Sequence, residues 1–367
     1  MAWLGTWAKR IKLDIDYTDG IGASVTHFPV SIHLKNANGD STKVFEEITT
    51  NSRKFAIARS DATELKAEVE QWEYDSGTVA NSVGIIHCST GSWTINADES
   101  IYIYYDSSSA DNPNVGDDPD DAASNAVWDS SFDMVQHMND ATTSTIKDST
   151  TNSQDGAKYA ANQPIEVDGE IGKAQDFDGT NDYVDLGIVP ASDTFNLSFW
   201  LPDKGSSSGW EVYARAQDRD QWPSLGLVTE DSKFKFATNT GGEGYEWKII
   251  STYAAITSGD YYFFNADWPS IKVYKNGSST AILDTTSSNH FTIDPTTKTS
   301  IGRAGEYANY YFDGTVDEMR LSSVTRSLAW NKGSYKSGTD ALLTYGTEET
   351  EEPALTGHIV KIYGVSV

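Results

Sequence analysis

The chain has 367 residues, enough for two domains that each bury a hydrophobic core. It carries 27 Lys and Arg against 54 Asp and Glu, a formal net charge of −27. That charge repels phosphate backbones and anionic lipid, which argues against nucleic acid binding and membrane-surface binding. The single cysteine, Cys88, excludes an internal disulfide, and no apolar run is long enough for membrane insertion.

Apolar and polar residues alternate with period two along most of the chain, which predicts antiparallel β-structure. Near the N-terminus, Ile11, Leu13 and Ile15 alternate with charged residues. Asn276-Gly277 lies between two such runs and predicts a hairpin turn. Signals for helices are few. The segment 61–73 fits either a helical stripe or a strand, and the stretch 328–330 predicts a single helical turn.

Two acidic segments interrupt the pattern. Residues 106–126 contain six Asp, two Pro and neither Lys nor Arg, so we expect a solvated linker over 114–126. The segment 347–352 holds four Glu and precedes Pro353, which predicts an acidic spacer. The apolar strand-like end, 358–367, either pairs with its own domain or adds to the sheet of a neighbouring subunit. We expect the second, with residues 354–367 contacting another chain.

The N-terminal part resembles the DUF2341 domain. The matching pieces are Trp7-Ala8-Lys9-Arg10-Ile11, Phe28-Pro29-Val30, Glu64-Leu65 through Trp72, and Ile101-Tyr102-Ile103-Tyr104-Tyr105 with Ala110. Their order and spacing fit over residues 3–113. The resemblance implies a β-domain without established chemistry, assigned here to residues 1–113, and it favours a strand over 68–72.

Residues 127–346 resemble the concanavalin A-like (laminin-G-type) β-sandwich. The matching pieces are Trp128, Val135–Asp140, Lys147–Thr150, Gly169–Ala174, Phe177-Asp178-Gly179, Asp182–Val184, Phe195–Trp200 and Phe312–Leu321. The resemblance implies a jelly roll of two antiparallel sheets. The pairing of these two domains is similar to proteins of tailed viruses and of bacterial and archaeal surfaces.

Some concanavalin A-like sandwiches are glycoside hydrolases, which need two carboxyl groups facing one cleft. The nearest match is Glu68-Val69-Glu70-Gln71-Trp72-Glu73, which lies in the other domain. On a regular strand Glu68 and Glu70 share a face, and we interpret them as a solvated strand edge. No nucleophile elbow, zinc-ligand spacing or phosphate-binding glycine loop is present. His137 lies in an apolar strand and is interpreted as a satisfied core residue rather than a ligand. We therefore expect no enzymatic activity.

Calcium is the metal that the second resemblance implies, since laminin-G-type sandwiches often carry a structural Ca²⁺. The matching positions are Asp140, Asp148 and Asp317, flanked by Asn139 and Glu318. Hard cations take several oxygen ligands, which these residues could supply. The alternative is that Asp140 and Asp148 cap turns and that Asp317 accepts backbone hydrogen bonds.

Aromatic side chains in polar segments are candidate sugar platforms at the rim of the sandwich. The candidates for glycan binding, with hydrogen-bonding groups beside them, are Trp210, Trp222, Tyr245, Trp247, Asp218, Arg219 and Asp220. The alternative is that these rings belong to the core or to a subunit interface.

The sequence thus predicts an all-β chain of tandem antiparallel β-sandwiches, 1–113 and 127–346, joined by a linker and ending in the segment 347–367. The expected function is that of a structural protein on the surface of a virus particle, made in the host cytoplasm. It would form homo-oligomers, contact other virion proteins and present a face for glycan contact. A polysaccharide-active enzyme or its carbohydrate-binding module, and a cellular adhesin, remain alternatives.

Overall fold

The computed structural model describes residues 3–142, 144–159, 163–187, 193–205, 211–216, 223–230, 233–237, 256–286, 298–303 and 311–351. The N-terminal strands are β1 Lys9–Ile15, β2 Val25–Thr26, β3 Val30–Leu34, β4 Phe55–Arg59, β5 Lys66–Glu73, β6 Val83–Ser89, β7 Thr94–Ile95, β8 Glu99–Tyr105 and β9 Val115–Gly116. The helices are α1 Tyr17–Gly20, α2 Thr42–Ile48, α3 Ala122–Asn125 and α4 Leu328–Gly338, with a 3₁₀ turn at Val79–Asn81.

The remaining strands belong to the second half of the chain. They are β10 Phe132–Gln136, β11 Thr145–Ile146, β12 Gly156–Lys158, β13 Ile165–Asp168, β14 Lys173–Asp178, β15 Val184–Gly187, β16 Thr194–Asp203, β17 Glu211–Ala216, β18 Pro223–Glu230, β19 Lys233–Ala237, β20 Asp260–Asp267, β21 Ser270–Lys275, β22 Leu283–Thr286, β23 Lys298–Ile301, β24 Asp313–Ser322 and β25 Leu343–Thr350. The all-β, mainly antiparallel class is confirmed.

The first sandwich packs the sheet β25-β1-β8-β4 against the sheet β3-β6-β5-β9. The alternation of β1 places Ile11, Leu13 and Ile15 in the core, each at most 2% exposed. Strand β5 confirms the choice of strand over helix for residues 68–72. A two-stranded sheet, β2-β7, lies beside this sandwich.

The second sandwich has two large sheets, β13-β14-β24-β16-β20-β21-β22, with β10 also paired to β24, and β11-β12-β15-β23-β17-β18-β19. Their inner faces share one apolar cluster that includes Phe177, Val184 and Phe199. The link between β21 and β22 begins at Asn276-Gly277, where both residues have the positive φ that such turns need.

The acidic segment 114–126 is not the solvated linker that its composition predicts. Strand β9 pairs in parallel with β5, and Ala123 in α3 is buried. The aspartates form turns, since Asp121 and Asp118 accept backbone N–H groups of Asp117 and Asp120. Arg53 lies within 4 Å of both Asp117 and Asp121, which offsets part of the charge.

The acidic segment that begins at residue 347 is also not a spacer over its described part. Strand β25 returns to the first sandwich and pairs antiparallel with β1, from Lys9 opposite Thr350 to Ile15 opposite Leu343. Its glutamates have partners there: Arg10 Nε donates to Glu349 at 2.7 Å, and Tyr105 donates to Glu348 at 2.7 Å. The expected assembly segment, 354–367, lies outside the described residues.

Helix α4 has 11 residues, not one turn. It begins at the N-cap Ser327, whose hydroxyl accepts the backbone N–H of Trp330, and it buries Trp330 against Phe28 and Phe132. Because Phe28 belongs to the first half of the chain and Phe132 to the second, α4 joins the two sandwiches. None of the described helices is long and apolar enough to traverse a bilayer.

The pairing of β25 with β1 predicts the effect of a truncation. A chain that ends at Asp340 loses the burial of Leu342 and Leu343, roughly 2 kcal/mol for each side chain. We expect its melting temperature, measured by circular dichroism, to fall by about 5 °C. A chain that ends at Glu351 retains β25 and is the matched control. Equal melting temperatures for the two truncated chains would contradict the pairing.

Candidate functional site

Ionisable side chains cluster where the two sandwiches meet. Strands β5 and β6 of the first sandwich supply Glu70 and His87, while the second sandwich supplies His137, just after β10, and Glu318 in β24. All four are buried, with side chains at most 1% exposed. We call these four residues the junction cluster.

Two irregularities in the strands aim the carboxyl groups into the junction. The register of β5 against β6 shifts between Val69 and Gln71, so Glu70 is an extra residue in a bulge. In β24 the backbone of Glu318 adopts φ +52°, which costs on the order of 1 kcal/mol for a non-glycine residue. As a result Asp317 and Glu318, although adjacent, are both buried.

The two imidazoles stack in parallel, with ring centroids 4.7 Å apart, and each faces a carboxyl group. Nε2 of His87 lies 2.7 Å from Oε2 of Glu70. Nδ1 of His137 lies 2.5 Å from Oε1 of Glu318 and 3.6 Å from Oε2 of Glu70. One ligand atom from each of the four residues lies within 4.8 Å of the others.

A second layer of polar groups holds the outer atoms of this cluster. Ser31 Oγ lies 2.9 Å from Nδ1 of His87, and Arg320 donates from Nε and a terminal nitrogen to Oε2 of Glu318. Oε2 of Glu68 lies 3.4 Å from Nε2 of His137.

The carboxylate of Glu68, in this second layer, is held by two hydrogen-bond donors. Trp128 donates to Oε2 of Glu68 at 2.7 Å, and Ser149 donates to Oε1 at 2.5 Å. The indole of Trp128 also lies 4.9 Å below the guanidinium of Arg320. The layer therefore links both sandwiches.

Within the junction cluster, the charged residues are His137 and Glu318. Burial alone would lower the pKa of His137, but the carboxylates of Glu318 and Glu68 outweigh it and raise that pKa well above the ordinary value. Burial opposes the ionised form of Glu318, yet His137 and Arg320 hold its pKa below the ordinary range. A buried ion pair results, and removal of one partner would leave the other uncompensated.

The other acidic and basic groups are driven toward their neutral forms. Burial and the charge of Glu318 raise the pKa of both Glu70 and Asp317 well above their ordinary values. Burial and the charge of His137 lower the pKa of His87. Polar atoms remain without a hydrogen bond among the described residues, including Oε1 of Glu70 and Nε2 of His137. This set of nitrogen and oxygen atoms could hold a metal ion.

A cavity of about 170 Å³ adjoins the junction cluster. Glu70, His137 and Glu68 line it on the inside, and the half-exposed Asp117 and Lys147 line it as well. The cavity therefore gives small solutes a route toward the cluster.

Two interpretations from the sequence change here. The stretch beginning at Glu68 is not a solvated strand edge, since Glu68 and Glu70 are covered by the second sandwich and only Glu73 is exposed. His137 is indeed buried, but it is a member of a charged cluster rather than a satisfied core residue, because its Nε2 forms no hydrogen bond with any residue that the structure describes. The change has one cause: the second sandwich covers this face of β5.

Sequence reasoning does not bring His87, Glu318 and Arg320 together in one site. The sequence does contain a signal for Glu318. Val316-Asp317-Glu318-Met319 places two adjacent acidic residues inside an apolar strand. In a regular strand, adjacent side chains point to opposite faces, so only one of the two acids could lie on the polar face. His87 and Arg320 alternate normally and carry no such signal.

The calcium candidates are not gathered into one group of ligands by the structure. Both oxygens of Asp148 accept hydrogen bonds, from the backbone of Val135 and Gln154 and from the backbone and hydroxyl of Thr150. Such saturation matches a turn-forming role and leaves Asp148 a poor calcium ligand.

The other two candidates hold separate loops. Oδ2 of Asp317 accepts the backbone N–H groups of Glu170 and Ile171 at 2.9 and 3.0 Å. Oδ1 of Asp140 accepts the N–H of Thr142, and its Oδ2 lies 3.6 Å from Nζ of Lys158. Oδ1 of Asp317 and Oδ2 of Asp140 have no hydrogen bond among the described residues, but the saturated Asp148 does not complete a set of three calcium ligands with them.

The seven glycan candidates, Trp210, Trp222, Tyr245, Trp247, Asp218, Arg219 and Asp220, lie outside the described residues. Among the residues that the structure does describe, the second sandwich has another aromatic surface. Tyr159, 46% exposed, packs beside Tyr183 with ring centroids 5.2 Å apart. The guanidinium of Arg303 lies 3.4 Å from the ring centroid of Tyr183. We call these three residues the tyrosine shelf.

The comparison with protein families matches the second sandwich. Residues 178–330 match the laminin-G-type model of the concanavalin A-like lectin/glucanases superfamily. This stretch, which includes Tyr183, Arg303 and the junction residue Glu318, therefore has the concanavalin A-like fold that the sequence predicts. No curated protein matches the chain.

Solved structures with partial similarity include domain 4 of AbnA, a GH43 extracellular arabinanase from Geobacillus stearothermophilus in complex with arabinotriose. It is 19% identical, with 57% of this chain and 98% of that chain covered and a TM-score of 0.43. Trypanosoma rangeli sialidase is 12% identical, with 57% and 33% covered and a TM-score of 0.41. The binding domain of Paraclostridial Mosquitocidal Protein 1 is 13% identical, with 56% and 52% covered and a TM-score of 0.42. The match thus spans about a third of the sialidase chain and half of the mosquitocidal one.

A glycine beside the junction cluster provides a test of its packing. Gly172 has φ +54°, and a Cβ there would lie 2.2 Å from Oε1 of Glu70. Gly187 has a similar φ of +65° with no atom within 4 Å of its Cβ position. We expect Gly172→Ala to reduce the free energy of unfolding by about 3 kcal/mol, from backbone strain and overpacking, and Gly187→Ala by about 1 kcal/mol. Urea unfolding measures both, and equal losses would show that Glu70 is not held against Gly172.

Proposed function

We propose that this chain is a non-enzymatic structural protein displayed on the surface of a virus particle, whose concanavalin A-like sandwich contacts glycans. The tyrosine shelf is the single observation that carries glycan contact. Exposed aromatic rings offer the flat apolar face on which sugar rings stack, and they lose little conformational entropy when they bind. The guanidinium of Arg303 packs against the ring of Tyr183 and so holds that ring in place.

The burial of the hydrolase-like stretch, residues 68–73, between the two sandwiches supports a non-enzymatic role. Glycosidases need two carboxyl groups open to a cleft that admits a sugar chain. Here Glu68 is bonded to Trp128 and Ser149, and Glu70 faces His87 inside the junction. A cavity of about 170 Å³ beside them is too small for a saccharide in a cleft.

The junction between the sandwiches supports a role in display. A surface protein must hold its contact face at a fixed angle to its base, and an interface that joins both sandwiches through α4, β25 and the junction cluster would do so. The net charge of −27 would limit nonspecific association with other anionic surfaces. The proposal of a virion rests on the resemblance of the sequence to domain pairs of tailed-virus proteins.

Glycan contact is tested with an array of bacterial and animal surface oligosaccharides, probed with the full chain. For any oligosaccharide that binds, Tyr159→Ala and Tyr183→Ala should each weaken binding about tenfold, through loss of ring stacking. Tyr159→Phe keeps the ring and should bind as the wild type does. Ile165→Ala, at an exposed position of the same sandwich in the other sheet, controls for general surface effects. No binding to the array, or unchanged binding by Tyr159→Ala, would contradict this site.

Placement on a virus particle needs a separate experiment. Imaging of the native assembly should show this chain on the particle surface, and a chain ending at Glu351 should fold but fail to incorporate. Normal incorporation of the truncated chain would contradict a role for residues 354–367. Release of reducing sugar by the wild type, lost in Glu70→Gln, would favour the polysaccharide-active enzyme instead, and recovery from a cell envelope would favour an adhesin.

A further inference from the structure

We propose that one divalent transition-metal ion of the zinc class binds between the two sandwiches, with the following ligands: Glu70, His87, His137 and Glu318. This site uses Glu318, which flanks the calcium candidate Asp317, but it shares none of the three expected calcium ligands and its donors include two imidazoles. It is also independent of glycan contact at the tyrosine shelf.

The donor set selects the class of metal. Two imidazole nitrogens and two carboxylate oxygens form a four-coordinate set that zinc accepts, with bonds of about 2.0–2.2 Å. Calcium takes six to eight oxygen ligands and is a poor match for a pair of imidazoles. The two histidines come from different sandwiches, so the ion would join them directly.

Three of the spacings among these ligand atoms are near the value of about 3.3 Å in a tetrahedral site, all of the spacings are within 4.8 Å, and one of the two parallel imidazoles would have to tilt toward the ion. Nδ1 of His137 and Oε2 of Glu70 are already 3.6 Å apart. The pairs His137–Glu318 at 2.5 Å and His87–Glu70 at 2.7 Å are hydrogen bonds. An ion that replaces the shared protons requires each pair to part by less than about 1 Å.

Polar groups lie near the ring nitrogens that would not face the ion, and the one beside Nε2 of His137 would form its hydrogen bond only on metal binding. Metal-bound histidines usually donate the other ring N–H to a carboxylate or another acceptor, which fixes the ring. Ser31 lies 2.9 Å from Nδ1 of His87, and Glu68 lies 3.4 Å from Nε2 of His137. Arg320 holds the outer oxygen of Glu318.

An unpartnered atom favours a cation here, and the charges of the cluster permit one. With Glu70 and His137 deprotonated toward a divalent ion, Glu70 and Glu318 would together offset its charge of two, while Arg320 and Glu68 offset each other. Oε1 of the fully buried Glu70 side chain has no hydrogen bond among the described residues, and burial of such a carboxyl group is costly. An ion bound at Oε2 of the same carboxyl group would neutralise its charge and so lower that cost. The adjoining cavity, lined by Glu70 and His137, provides a path for the ion.

The test uses the full chain and two probes, Zn²⁺ and Co²⁺. After expression with zinc and gel filtration, mass spectrometry of the metal content should give about one zinc per chain. Exchange into Co²⁺ should give the visible absorption of a four-coordinate site. Removal of the metal with a chelator should lower the melting temperature, because an ion that binds only the folded chain stabilises it. Wild-type protein with no stoichiometric zinc and no change of melting temperature on zinc addition would overturn the proposal, whatever the variants do.

Variants then identify the ligands. Glu70→Gln keeps the shape of the side chain, and we expect it to weaken zinc affinity by at least about tenfold, as does His87→Asn. His33→Gln is the matched control, since His33 is also buried but bonds through Nε2 to the carbonyl of Ser337, outside the cluster. Zinc affinity that is unchanged in Glu70→Gln, or lost equally in His33→Gln, would show that the metal binds elsewhere.

Discussion

Burial of ionised groups between two β-sandwiches is the constraint on which this structure depends. His137 and Glu318 lie where neither can reach water, so each needs a partner of opposite charge at hydrogen-bond distance. The partners come from both sandwiches, because Glu68 and Glu70 approach from the first and Arg320 from the second. Separation of the sandwiches would expose apolar surface and break this network at the same time. Display of the second sandwich at a fixed angle would follow from that coupling.

Much of the fold could be predicted because alternation is a local property. The inner residues of β1 follow from period two, whereas the strand over 68–72 is favoured only by the family resemblance. Long-range pairing could not be predicted in this way. The glutamates of β25 resemble a solvated spacer until Arg10 and Tyr105 are known to face them. The buried face of helix α4 contains two glycines and two serines, so its sequence shows weak periodicity, and its burial of Trp330 comes from tertiary contact.

The site was less predictable than the fold, for a physical reason. Bulges break the alternation that sequence reasoning relies on, and they occur at both carboxyl ligands, Glu70 and Glu318. In the sequence, a buried carboxylate cannot be distinguished from a surface residue when its partners are distant along the chain. His137 and Glu318 are such a pair. The assignment of Asp148 to calcium failed for a related reason: a carboxylate that terminates a turn and one that binds an ion have the same sequence pattern.

Differential scanning calorimetry of the full chain tests most directly whether the two sandwiches form one unit. If the buried network and α4 couple them, unfolding should show a single transition, with a calorimetric enthalpy equal to the van't Hoff enthalpy. Glu68→Gln, which alters only the outer layer of the junction, should lower the temperature of that transition without splitting it. Two separate transitions in the wild-type chain would mean that the sandwiches unfold independently, and this would contradict the account.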